Sequence, residues 1–248
     1  MQRAVSTQLA DHRRVWERKA VLRVVYEDFY DRIAAACGAG LTIEIGGGIG
    51  NFKRRLADVM ATDIQCAPWL DCVADAQRLP FADACAANIV MVDVLHHLEF
   101  PLVFFREAAR VLRPGGRALM VEPAITWGSS LFYRVFHHEP VRTFADVLVD
   151  GVPDPRRDPY ESNQAIPTLL ATRDRERFHC LFPALRIASV QWFALAAYPL
   201  SGGFQPWSLI GEGAARQLMR LERALEPALG RFAGFRMLLT VEKAADTA

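Results

Sequence analysis

Hydrophobic and polar positions along this chain switch between two periods, and the switching predicts an alternation of helices and strands. From about Arg14 to Cys37 the apolar residues Val15, Leu22, Val25, Phe29, Ile33 and Ala36 recur at helical spacing, with Arg18, Lys19, Arg23, Glu27, Asp28 and Asp31 between them. This predicts one long amphipathic helix or two broken ones, ended by Gly38 and Gly40. Short apolar runs at Leu41–Ile45, Val59–Ile64, Cys72–Ala74, Ala87–Leu95 and Ala118–Val121 read as strands, the fourth continuous enough to be central. A short helix from about Asn51 to Ala57 and another from Leu102 to Leu112 lie between them. Pro101 sits in the first turn of the second helix, and Arg113-Pro114-Gly115-Gly116 forces a turn after it. Strands separated by helices predict a parallel sheet covered on both faces, the doubly wound α/β arrangement.

Regularity is lost between Ala124 and about Leu170, a stretch too long for an ordinary connection. Helical spacing returns over Thr172–Phe182 and a strand over Leu185–Phe193. A second irregular stretch, AAYPLSGGFQPW, leads to a helix over about Gly213–Leu225 and a last strand over Phe235–Glu242. At 248 residues and 52% apolar content, one α/β domain with insertions is expected. Residues 1–40 would form an N-terminal helical cap segment and residues 41–248 the domain proper, with insertions at about 124–170 and 196–232.

Charge and cysteine content narrow the classes. Lys and Arg (29) nearly balance Asp and Glu (28), so no whole-protein basic field points to nucleic acid. Five cysteines, an odd number without CxxC spacing, argue against a disulfide framework and against a zinc site. The N-terminus is charged where a signal peptide would be apolar, and no run reaches the length of a membrane span, so a cytoplasmic protein without an integral membrane segment is expected. Residues 14–37 are the candidate for peripheral membrane contact, but their mixed charge favours packing over the sheet.

The candidate chemistry begins at LTIEIGGGIGNF, residues 41–52, where a strand runs into a glycine turn. Glycine lets a ligand approach the backbone and permits positive φ. A helix starting just beyond would add unpaired N–H groups. Gly46, Gly48 and Gly50 stand at alternate positions with Glu44 before them, and Asn51 occupies the place of the third glycine of a dinucleotide fingerprint. The Gly-Lys-Ser/Thr of a P-loop is absent. A nicotinamide oxidoreductase is disfavoured by Asn51.

In this E-I-G-G-G-I-G form the chain resembles the class I S-adenosylmethionine-dependent methyltransferases, close to their type 11 members. The resemblance continues, in family order, through Asp63, ADAQRLPF (74–81), DVLHHLEFP (93–101) and REAARVLRPGG (106–116), and covers about residues 41–123. It implies a Rossmann-like sheet of seven mostly parallel strands, the last antiparallel, with substrate-cap insertions, and S-adenosyl-L-methionine as cofactor. It further implies cofactor contacts from Glu44, Gly46, Gly47, Gly48 and Gly50 at the turn, and from Asp63 and Ile64 at the ribose. Asp75 and Ala76 would meet the adenine, and Asp93, Val94 and His97 the methionine end.

Methyl transfer asks a protein to align acceptor and methyl carbon, exclude water and, for a hydroxyl acceptor, remove a proton. Histidine suits the last task. The His96-His97 pair follows the fourth strand, where the resemblance gives it a positional or cofactor-wall role. His137 and His138, in the first insertion with Glu139 behind them, are the candidate catalytic bases. Adjacent histidines rarely face one ion, so no metal site is expected. Trp127, Phe132, Tyr133, Phe136, Trp192, Phe193, Tyr198, Phe204 and Trp207 concentrate late in the chain, as extra core or as an aromatic acceptor pocket in which Arg156 and Arg157 would recognise an anionic group.

The expected activity is therefore methyl transfer to a small-molecule or lipid-linked acceptor, at oxygen, by a monomer or homodimer. The alternative is a non-catalytic cofactor-binding scaffold or regulatory subunit of the same fold. Nucleic-acid methylation is disfavoured by the balanced charge and by DVLH in place of an NPPY-type tetrad.

Overall fold

The structure is a computed structural model that describes residues 6–136 and 140–245, with the side chains of residues 134–136 outside the description. His137 and His138, the expected bases, lie outside the described residues. Along the chain come α1 (Thr7–Arg18), α2 (Ala20–Ala36), β1 (Thr42–Ile45), β2 (Val59–Asp63), β3 (Cys72–Val73), β4 (Ala86–Val92), α3 (Pro101–Val111) and β5 (Leu112–Pro123). Then follow α4 (Trp127–Phe136), α5 (Ile166–Ala171), α6 (Arg175–Leu181), β6 (Leu185–Phe193), α7 (Ala197–Ser201), α8 (Glu212–Ala233) and β7 (Arg236–Lys243).

The seven strands form one sheet in the order β3-β2-β1-β4-β5-β7-β6. β1 to β5 pair in parallel, and β7 runs antiparallel between β5 and β6. Alternate side chains of a strand face opposite sides. Ile89 and Met91 of β4 therefore join a core with Phe104 and Phe105 of α3 and Phe178 of α6, while Val90 joins Leu22, Phe29 and Ile33 of α2 on the other face. With both faces covered, β4 is apolar except for the buried Asn88, which is hydrogen-bonded to Gly38 and Thr42. Each such apolar side chain, when fully buried, contributes about 1.5–3 kcal/mol. The chain lays down β1, β2 and β3 in one direction and then crosses back to place β4 beside β1. At that reversal a crevice opens beyond the strand C-termini, and both Gly46 and Asp93 sit at its edge.

Several elements differ from the sequence reading. Lys19, in extended conformation, breaks the first helix into α1 and α2, and α1 begins well before Arg14. The helix expected over 51–57 is only a 3-10 turn at Phe52–Arg54: Phe52 is buried against Tyr30, and too few residues remain before β2 for further helical turns. Arg113–Gly116 bulges within β5 rather than ending ahead of it, so that Ala86 pairs with Leu112 and Asn88 already with Arg117. The helix expected over 172–182 is the shorter α6, and a separate α5 precedes it in the stretch read as irregular. α4 and α7 fall in stretches that showed no periodicity.

Candidate active site

The glycine turn is held by its own backbone. Gly47 N–H donates to Thr62 O at 2.7 Å and Gly50 N–H to Gly47 O at 2.7 Å. Gly46, Gly48 and Gly50 all have positive φ. At Gly46 glycine is also required by space, because a Cβ there would lie 2.2 Å from Val94 Cγ2. Since no α-helix follows, the donors presented to a ligand come from the turn itself and not from a helix N-terminus, a correction to the sequence argument.

Two buried acids flank this turn. Asp63 accepts from Gly48 N–H at 2.9 Å and from Gln65 N–H at 2.8 Å. Its remaining lone pairs can accept from a diol. Burial raises its pKa above the ordinary carboxylate value, against the lowering effect of these backbone bonds. Glu44 is buried, and its Oε2 has no hydrogen-bond partner among the described residues. Burial, with Asp63 as a secondary cause, pushes its pKa up to about 8. An unpartnered carboxyl oxygen beside a turn without side chains is a cradle that a polar ligand would complete.

One cavity of about 490 Å³ extends from this turn. Glu44, Gly46, Gly47, Gly48, Asp63, Ile64, Asp93, Val94 and His97 line it. Gly50, Asp75 and Ala76 are not among its lining residues. Gly50 instead packs under Trp69, and the Asp75 carboxylate accepts from Gln77 N–H at 2.8 Å. His96 also lines the cavity. Its Nδ1 lies 2.6 Å from Glu122 Oε2, while Glu122 Oε1 accepts from the Val94 and Leu95 N–H groups at 2.9 and 2.7 Å. The end of β5 thereby fixes the loop that follows β4.

Asp93 adopts φ +60°, a conformation costing about 1–3 kcal/mol for a non-glycine residue. Its carboxylate accepts from Tyr26 Oη at 3.0 Å and pairs with the Arg236 guanidinium. Arg236 is fully buried and lies over the Phe29 and Tyr198 rings. Burial alone would lower its pKa, but Asp93, with Tyr198, Tyr133 and Tyr26, holds it well above the ordinary value. Burial first, and Asp93 second, raises the Tyr26 pKa, so this phenol stays protonated.

The far part of the cavity is built from segments distant in sequence. Gln8, Leu9 and His12 come from α1, Phe132 and Tyr133 from α4, and Tyr198, Phe204 and Trp207 from α7 and the loop after it. The His12 ring is 4.7 Å from that of Phe204. Burial lowers the His12 pKa, opposed in smaller measure by Asp11 and Asp93, which favours the neutral imidazole. Lys19 fastens the wall by donating to the carbonyls of Gly203, Gln205 and Trp207 at 2.7, 2.8 and 2.7 Å. From the first insertion, Pro159 and Tyr160 reach the cofactor end, where Gln65 Nε2 donates to Tyr160 Oη at 2.5 Å.

Other aromatic and basic candidates lie elsewhere. Trp127 is 89% exposed and Phe193 is in the core. Arg157 donates to His97 O and Glu161 O at 2.6 and 2.8 Å, and Arg156 is exposed beside Asp154. Neither arginine lines the cavity, because Arg157 is used to tie the insertion down. His12, Tyr26 and Arg236 were missed by the sequence reading. For His12 the available signal was Leu9, His12 and Trp16 at helical spacing; no local pattern marks Arg236.

Residues 36–120 match a family described as methyltransferase domain. Among solved structures the chain is similar to a Thermotoga maritima S-adenosylmethionine-dependent methyltransferase, with 14% identity over 92% of this chain and 93% of that one and a TM-score of 0.52. It is also similar to a chain of the Haloferax volcanii complex containing the Trm112 methyltransferase activator, with 16% identity over 97% and 96% of the two chains and a TM-score of 0.51. A third similar structure is the [4+2]-cyclase SpnF, with 15% identity over 90% and 82% of the chains and a TM-score of 0.51. No curated protein matches the sequence. At such identities the structural likeness carries the fold. The methyltransferase-domain match over residues 36–120 and the seven-stranded, mostly parallel sheet support a class I S-adenosylmethionine-dependent methyltransferase, a class whose cofactor is S-adenosylmethionine.

Proposed function

We propose that the protein methylates a hydroxyl oxygen on a small or lipid-linked acceptor with an apolar or aromatic body. The observation that carries this reading is the single cavity joining the glycine turn and Asp63 to an aromatic chamber that contains His12. Glu44, Gly46, Gly47, Gly48, Asp63 and Ile64 would hold the cofactor, which supplies a methyl carbon already activated on a sulfonium. Phe132, Tyr133, Phe204 and Trp207 would hold the acceptor body and exclude water. His12 would take the hydroxyl proton as the oxygen–methyl bond forms and pass it later to solvent.

Oxygen is favoured over an amine nitrogen by the charges present. The acids lining the cavity, among the described residues, are Glu44, Asp63 and Asp93. Asp93 is already paired with Arg236 and Tyr26, so among the described residues an ammonium acceptor meets no available counter-ion in the chamber. On this reading α1 and the loop after α7 form the acceptor cap.

The test is release of S-adenosylhomocysteine with matched hydroxyl and amine acceptors of apolar body. Hydroxyl acceptors should turn over, and His12→Gln should lower kcat by about 100-fold or more while leaving cofactor affinity unchanged. Turnover confined to amines, or an undiminished His12→Gln rate, would overturn the assignment. Absence of turnover across several acceptor classes, with cofactor bound, would favour the scaffold reading.

A further inference from the structure

We propose that the outer face of α8, together with the start of α4, docks onto an anionic lipid surface. On α8, Leu221, Leu225, Leu229 and Phe232 follow one another at intervals of four, four and three residues, which places them on one face. All four are exposed, Phe232 to 63%. The stripe continues onto α4. Gly128 packs so closely on the end of α8 that a Cβ would lie 3.0 Å from Ala233 Cα, and beside it Trp127 and Leu131 are 89% and 70% exposed. An apolar strip this continuous is unusual on a surface that faces only water.

Charge complementarity selects the occupant. Arg220 precedes Leu221 and Arg231 precedes Phe232, eleven residues or about three helical turns apart, so both arginines fall on the same flank of the stripe. Neither forms an ion pair among the described residues, whereas Arg216 pairs with Glu212 and Arg223 with Asp28. The acids that could oppose them are turned inward. Glu222 accepts from the Ala196 and Ala197 N–H groups at 2.7 and 2.6 Å, and Glu226 pairs with Arg32 at 2.9 Å. The chain's net charge of only +1 makes this basic flank a local feature. A Leu/Phe/Trp stripe edged by arginine is suited to lying in the headgroup layer of a bilayer that carries negative charge. No described helix is long and apolar enough to cross a membrane, so the contact would be peripheral. α4 turns Phe132 and Tyr133 toward the cavity while exposing Trp127 and Leu131, which places the docked face on the back of the acceptor wall.

The experiment is flotation of the full-length protein with vesicles of phosphatidylcholine alone and of phosphatidylcholine mixed with phosphatidylglycerol. Light scattering without vesicles and S-adenosylhomocysteine binding, as a fold control, accompany it. Binding should be at least roughly tenfold stronger to the anionic vesicles. Arg220→Glu with Arg231→Glu should remove that preference, and Trp127→Ser with Phe232→Ser should weaken binding, with S-adenosylhomocysteine affinity retained in both pairs. No vesicle binding, equal binding to the two compositions, or binding unaffected by both pairs of substitutions would overturn the proposal. So would a dimer that Phe232→Ser dissociates in a protein that ignores vesicles, which would assign the face to a second copy of the chain.

Discussion

At the scale of single residues, the site depends on positions where only one side chain, or none, is compatible with the backbone. Gly46 combines φ +67° with a contact that leaves no room for a Cβ beside Val94. Gly46→Ala should therefore lower stability by about 3 kcal/mol, combining left-handed strain with overpacking, and should move the turn away from Glu44. Urea denaturation measures the first effect and cofactor titration the second. This glycine was legible in the sequence because a turn requirement is local: Glu44, the glycines and Asp63 lie within twenty residues around one strand-turn-strand unit. The pairing of Asp93 with Arg236 spans 143 positions, and Arg236 reads only as the first residue of a strand. His12 escaped notice for a related reason, since its role depends on Phe204 folding back onto α1.

At the scale of elements, α1 and the loop after α7 form one wall because Lys19 ends α1 and places three hydrogen bonds on the loop's carbonyls. Lys19→Met removes those bonds while leaving the cofactor cradle untouched. Hydrogen exchange in α1 and residues 202–209 should accelerate, and KM for the acceptor should rise several-fold, with cofactor affinity changed less than twofold. An unchanged exchange rate would show that the wall is held by its apolar contacts alone. Strands β1, β4, β5 and β7 were readable because each carries a buried run between turns. α4 was not, because its ten residues stand at the head of a long irregular stretch with no strand directly after them, with Trp127 and Leu131 outward and Phe132 and Tyr133 inward. The 51–57 segment erred the other way, since its basic amphipathic pattern suggested a helix that the short path to β2 does not accommodate.

Over the whole molecule, strand and helix alternation made the doubly wound sheet legible and marked residues 1–40, 124–170 and 196–232 as cap segments, but not the chamber that α1, α4 and the loop after α7 build together, because those contacts span most of the chain. The burial of acids at the crevice has a consequence for stability. Glu44 is raised from 4.5 to about 8 in the folded protein, so the folded state holds its proton more tightly than the unfolded chain. Its stabilising contribution is complete below the unfolded value and is lost as pH rises from about 4.5 through 8. Asp63, also raised, adds a slope of the same sign at the acid end. Denaturation of the cofactor-free protein should show this decline, amounting to a few kcal/mol at most given about 1.4 kcal/mol per pKa unit. Glu44→Gln should flatten it. A wild-type profile that rises across the same window would show that Glu44 ionises normally.

The most direct test of the account is titration calorimetry of S-adenosylhomocysteine into the wild-type protein and the Asp63→Ala variant, with thermal unfolding recorded for both. The account predicts one site per chain in the wild type and affinity weakened by about 100-fold or more in the variant, because a buried diol partner is lost while the fold remains. Equal affinity in the two proteins, or no binding by the wild type, would contradict it.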